Sequence, residues 1–136
     1  MKHFGSVQKF TTQRNKEIMR IYRHYLKQAD FIIRPDILEK VANAPTSRFW
    51  VSEERAATVI ALMLAGRPIP KMRPNKQEMF NEIYHRFILL RTQFPKRPFN
   101  DLVVQVVNSP APRFYLTPRS LGEIIYLIKK GHYENY

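Results

Sequence analysis

The sequence predicts an all-α fold made by using one three-helix unit twice, and three observations carry that prediction. One stretch occurs in two versions: Asn43-Ala44-Pro45-Thr46-Ser47-Arg48-Phe49-Trp50, then Asn108-Ser109-Pro110-Ala111-Pro112-Arg113-Phe114-Tyr115. Around each copy the apolar residues fall at helical spacing in the same order: a long helix, a short helix, an extended Arg-aromatic connector and a further helix. Glycine closes both copies, at Gly66 and Gly131. The expected repeats cover 11–70 and 71–136. A unit of roughly sixty-five residues is marginal alone, so the two are expected to form one compact domain with a shared core.

After a frayed start, Thr11 or Thr12 is positioned to cap a helix reaching about Ala29. Its stripe is Ile18, Ile21, Tyr22, Tyr25 and Leu26, at i, i+3, i+4, i+7 and i+8. Arg34-Pro35 breaks the chain, because proline disfavours helical geometry in the residue before it while suiting a first helical turn. A short helix from Pro35 to Asn43 follows, with Ile37, Leu38 and Val41 apolar and Asp36 at the positive end of its dipole. Pro45 ends it. Ser47 to Val51 reads as extended, which places Arg48 and Trp50 on one side and Phe49 and Val51 on the other. Ser52 is the N-cap of the next helix, in which Ala56, Val59, Ile60, Met63 and Leu64 are apolar. The segment Arg67 to Pro74 is a basic, proline-rich connector, stiff rather than floppy.

The second half follows the same plan. Asn75 and Glu78 have capping-box spacing, and Phe80, Ile83, Tyr84, Phe87 and Ile88 repeat the first stripe 62 residues on. Arg97-Pro98 mirrors Arg34-Pro35. A short helix is expected over Asp101 to Asn108, and a last helix over Thr117 to Lys130 with Leu121, Ile124, Ile125 and Ile128 inward. Phe49 and Phe114 are expected in the core, with Trp50 and Tyr115 partly exposed.

Charge supplies the functional clue. The net charge is +12, from 23 Lys and Arg against 11 Asp and Glu. Residues 1–70 carry 12 basic and 6 acidic side chains and residues 71–136 carry 11 and 5, so each half holds +6 and the charge is no detachable tail. Such a balance favours a polyanionic partner such as nucleic acid or an anionic membrane surface, and it also serves solubility alone. The absence of cysteine removes disulfides, thiolate metal sites and a cysteine nucleophile, and fits an intracellular protein. Met1 to Phe10 lacks the apolar core of a signal peptide. The longest apolar run, Val59 to Ala65, is far shorter than the roughly 20 residues needed to span a bilayer. The expectation is a soluble, cytoplasmic protein.

Two sets of residues are candidates for the interface. Arg48 with Trp50, and Arg113 with Tyr115, pair a guanidinium with an aromatic ring that can grip phosphate and stack on a base, or anchor a protein partner. The plainer alternative has each arginine stacking on its own neighbour and capping carbonyls. Arg20, Arg23 and Lys27 on the first helix, with Arg67, Lys71, Arg73 and Lys76 around the connector, form the second set, expected as one basic strip. About four phosphates met there would cost on the order of a hundredfold in affinity between 50 and 200 mM salt.

The order short helix, turn, second helix, packed by a longer first helix, resembles the helix-turn-helix class of DNA-binding units. That resemblance implies groove-reading helices beginning at Ser52 and Thr117. The link Ala44 to Val51 is about twice the usual three or four residues, and Glu53, Glu54 and Glu123 bring negative charge near phosphate. Enzymatic readings are poor. With four glycines there is no phosphate-cradling loop, and no serine sits in a nucleophile elbow. Glu82-x-x-His85 has the spacing of a carboxylate-bridged metal site, but the first half offers Arg20 and Arg23 in place of the required second copy. His3 and His132 lie near the termini. No cofactor or metal is expected. The reading is a non-enzymatic nucleic-acid-binding protein, DNA before RNA. The alternative is an interaction or assembly module, docking a protein partner or a second copy of the chain through the repeated Arg-Phe-Trp/Tyr surfaces.

Overall fold

The computed structural model describes the backbone of residues 2–133 and the side chains of residues 10–133. Within it lie six helices and no strand: α1 (Lys2–Gln28), α2 (Arg34–Ala42), α3 (Glu53–Leu64), α4 (Pro74–Gln93), α5 (Phe99–Val107) and α6 (Pro118–Lys129). None is long and apolar enough to cross a membrane among the described residues.

The chain forms two compact units, one of Met1–Thr46 with Pro112–Tyr136, the other of Ser47–Ala111. In the first, α1, α2 and α6 pack together; in the second, α3, α4 and α5 do. Each unit therefore has a long helix, a 9-residue helix and a 12-residue helix, and the last comes from the other half of the sequence. The consecutive pair α2 and α3, on which the helix-turn-helix resemblance rests, is divided between the units, as is α5 and α6. The boundary near residue 70 runs through the second unit.

In the first unit Ile18, Met19, Ile21 and Tyr22 of α1 are buried with Ile37, Leu38, Val41 and Ala42 of α2 and Leu121, Ile125 and Ile128 of α6. Tyr25, Leu26 and Ile124, also expected inside, are half-buried. The second unit buries Ala56, Val59 and Ile60 of α3, Met79, Phe80, Ile83 and Phe87 of α4, and Leu102, Val103, Val106 and Val107 of α5. Burial of a large apolar side chain contributes about 1.5–3 kcal/mol, so these stripes are the main source of stability in both units.

Several local expectations hold. The Ser52 hydroxyl accepts from the Arg55 amide at 3.0 Å, and the Thr117 hydroxyl accepts from the Ser120 amide at 3.0 Å. Gly66 (φ +69) and Gly131 (φ +75) turn the chain left-handed after α3 and α6. There the Arg67 and His132 amides reach back to the carbonyls of Leu62 and Leu127, while those of Gly66 and Gly131 reach Met63 and Ile128. This paired closure satisfies the last helical carbonyls.

Four expectations are corrected. First, α1 begins at Lys2, so Thr11 and Thr12 lie inside it; no proline precedes residue 35, and a mid-helix threonine costs only a few tenths of a kcal/mol. Second, α4 begins at Pro74 with Arg73 as N-cap and no side-chain cap bond. Proline preset for the first turn starts the helix there, and Asn75 is already within it. Third, α5 begins at Phe99 after Pro98, whereas Arg34 and Pro35 are helical. The two arginine-proline steps are thus not equivalent positions.

The fourth concerns the Arg-aromatic segments. Ser47 to Val51 is bent, and the Val51 amide returns to the Phe49 carbonyl at 3.0 Å, a tight turn centred on Trp50. In the second copy Tyr115 has φ +61. That left-handed residue breaks the alternation of sides, and Phe114 and Tyr115 are both buried, leaving Leu116 half-buried. Phe49 and Phe114 are in the interior as expected.

Candidate nucleic-acid interface

The segment between α3 and α4 presents the cleanest cationic surface. Leaving the left-handed Gly66, residues 67–73 run without regular structure, and Pro68 and Pro70, which lack an amide hydrogen and have φ fixed, hold the backbone extended. Ile69 and Met72 are half-buried and pin the segment, while Arg67, Lys71, Arg73 and, one turn into α4, Lys76 are exposed. No acidic residue occurs from Ala65 to Gln77. None of the four cations is held in an ion pair among the described residues. The result is a stiff run of cations whose charge is not cancelled locally, which suits it to contact successive phosphates.

On α1, Arg20, Arg23 and Lys27 are exposed at i, i+3 and i+7, on one face. Glu17 approaches Arg20 at 3.6 Å and offsets part of that charge. These three belong to the first unit and the connector cations to the second.

The Arg-aromatic residues have a different environment. Arg48 donates through Nε to the Phe49 carbonyl at 3.0 Å and through Nη2 to the Val51 carbonyl at 2.8 Å. Its guanidinium carbon lies 5.3 Å from the Trp50 ring centroid. Burial pushes this guanidinium below its ordinary range, an effect the charge of Glu53 opposes. Arg113 lies over Tyr115 at 5.0 Å. Both arginines thus stack on their neighbouring aromatic residue, and Arg48 also ties down its own turn. Trp50 is half-buried, and Tyr115 is buried rather than partly exposed.

Sequence reasoning passed over two polar features. Arg86 of α4 pairs with Glu82 at 2.7 Å, donates to the Pro110 carbonyl at 2.6 Å and the Ser109 hydroxyl at 3.2 Å, and covers Phe49 at 4.9 Å. Its only signal was the i, i+4 spacing from Glu82, which also commits the carboxylate of the Glu82-x-x-His85 pair. Asn15 of α1 is fully buried. Its side-chain oxygen accepts from Arg14 at 3.2 and 3.0 Å, and its amide nitrogen has no partner among the described residues. Nothing in the sequence separates that asparagine from an exposed one.

Open depressions occur on the first unit, one of about 470 Å³ along α6 beside Arg119, Gly122 and Tyr126, another of about 490 Å³ beside Tyr25, Asp36 and Glu39. Neither gathers a nucleophile with a base. Among the described residues no three His, Asp or Glu side chains come close enough to hold a metal ion. Comparison with protein families, with curated proteins and with solved structures finds no match to this chain.

Proposed function

We propose that this protein is a non-enzymatic, cytoplasmic nucleic-acid-binding protein whose ligand is DNA, met first by the connector between α3 and α4. One observation carries the reading: Arg67, Lys71, Arg73 and Lys76 stand exposed on a proline-stiffened segment free of acidic residues, in a chain of net charge +12. A preset backbone loses little entropy on binding, so its cations engage phosphates at low ordering cost. Arg20, Arg23 and Lys27 supply a second patch. Arg48 and Arg113 serve mainly to fix their own turns on this reading, and of the two repeated aromatic residues Trp50 is the one left partly exposed.

The finer architecture belongs to the same proposal. The chain is a duplication of a long, a short and a 12-residue helix, in which the copies have exchanged their third helices. The equal lengths of α2 and α5 and of α3 and α6 support it, as do the paired hydroxyl caps and the paired glycine closures. A docking surface built on the repeated Arg-Phe-Trp/Tyr steps has weaker support, since Tyr115 is buried.

The test is fluorescence anisotropy of a mixed-sequence duplex and of a single strand at about 100 mM salt, comparing wild type with a variant carrying alanine at Arg67, Lys71, Arg73 and Lys76. Binding by wild type that the variant loses supports the reading. Absence of binding removes it, and binding that survives moves the phosphate contacts off the connector.

A further inference from the structure

The loop between α1 and α2 carries three consecutive large apolar residues in solvent: Phe31 is 85% exposed, Ile32 68% and Ile33 54%. The fold does not require this. The loop between α4 and α5 has the same Phe-x-x-Arg-Pro spacing, Phe94-Pro95-Lys96-Arg97-Pro98. There the guanidinium of Arg97 lies 4.0 Å from the Phe94 ring and donates to Gln105 at 2.6 Å, and the two middle positions are proline and lysine. In the first loop Arg34 reaches instead to the Gly122 carbonyl at 3.4 Å. Phe31 is left uncovered, and isoleucines stand where the other loop has proline and lysine. Phe94 is 41% exposed against 85% for Phe31, so a loop of the same spacing, though not at an equivalent helix position, is built in this chain with a much smaller apolar tip.

We propose that Phe31, Ile32 and Ile33 dock the protein on an anionic lipid bilayer by entering its interfacial layer, with Arg23, Lys27 and Arg34 against the headgroups. Two arguments select that partner. Arg23, Lys27 and Arg34 flank the tip against Asp30 and Asp36, an excess of positive charge that complements acidic headgroups. A three-residue tip is also far smaller than the roughly 1,000 Å² that a lasting protein interface needs, whereas a fluid bilayer accepts a small convex wedge. Apolar insertion combined with basic contacts is the two-signal arrangement that gives stable but reversible attachment. The proposal does not rest on the nucleic-acid reading.

The experiment is co-sedimentation of the full chain with vesicles of equal parts phosphatidylcholine and phosphatidylserine, and with phosphatidylcholine alone. The exposed double variant Phe31→Ser, Ile32→Ser is compared after circular dichroism shows an unchanged melt. Because the chain has no cysteine, Ile32→Cys accepts a single environment-sensitive fluorophore. The expected result is binding that requires phosphatidylserine, falls at least about tenfold in the serine variant, and shifts the residue-32 probe to the blue. Absence of binding to the anionic vesicles overturns the proposal, as does binding the serine variant retains in full. A probe that stays in water on vesicles, or shifts on duplex DNA only, overturns it too.

Discussion

Replacing Arg86 with alanine should destabilise the unit formed by residues 47–111 by about 2–3 kcal/mol. The guanidinium holds four things at once: the Glu82 carboxylate at 2.7 Å, the Pro110 carbonyl at 2.6 Å, the Ser109 hydroxyl at 3.2 Å and the face of Phe49 at 4.9 Å. A hydrogen bond from a charged donor contributes about 1.5–3 kcal/mol net, and an i, i+4 ion pair about 0.3–0.5. The cation-π contact adds about 0.5–1. These contributions share one side chain and do not simply add. The Glu82–Arg86 pair is about a third exposed on both sides, so its share is near the low end. Urea unfolding followed by circular dichroism measures the change, with Arg86→Lys beside it. Lysine keeps the charge but not the planar fork, and should recover less than half of the loss. An Arg86→Ala variant within about 0.5 kcal/mol of wild type, the range of an ordinary surface substitution, would refute the strut.

Other expected outcomes follow from the same contacts. Ser52→Ala and Thr117→Ala each remove a hydroxyl cap and should cost about 1 kcal/mol in thermal melts; no change in either would mean that the cap bond is replaced by water without loss. Gly66→Ala should cost about 1 kcal/mol although no atom lies within 4 Å of the added methyl, because the penalty comes from φ +69 alone. A neutral result would show the turn relaxing out of the left-handed region. Arg48→Ala should cost about 1.5–3 kcal/mol of stability through its lost carbonyl contacts while leaving the salt slope of DNA binding unchanged. A slope reduced by about one would instead assign it a phosphate.

What was legible in the sequence is what local chemistry decides. Ser52, Thr117, Gly66 and Gly131 act on their own chain neighbours, so their roles could be read without knowing what packs on what. The stripes of α1, α3, α4 and α6 were legible for the same reason. Which helix joins which was not. Val59 and Ile60 of α3 and Ile124 and Ile125 of α6 hold the same places in near-identical patterns, so either helix suits either short helix on periodicity alone. The segments that lead into α3 and α6 contain the turn at Trp50 and the left-handed Tyr115, and a positive φ at a tyrosine has no sequence signature. Phe31 to Ile33 lies between the expected end of the first helix near Ala29 and the break at Arg34-Pro35, a stretch that helical periodicity does not address. Its signal was three large apolar residues in a row with no helical phase to bury them.

The salt dependence of duplex binding tests the central claim most directly. Association constants of wild type and of the Arg67, Lys71, Arg73 and Lys76 alanine variant would be measured across 50–200 mM salt and plotted on logarithmic axes. Wild type should lose at least about a hundredfold over that range, and the variant's slope should be shallower by about three to four. Parallel slopes for the two proteins, or wild-type affinity that ignores salt, would contradict the account.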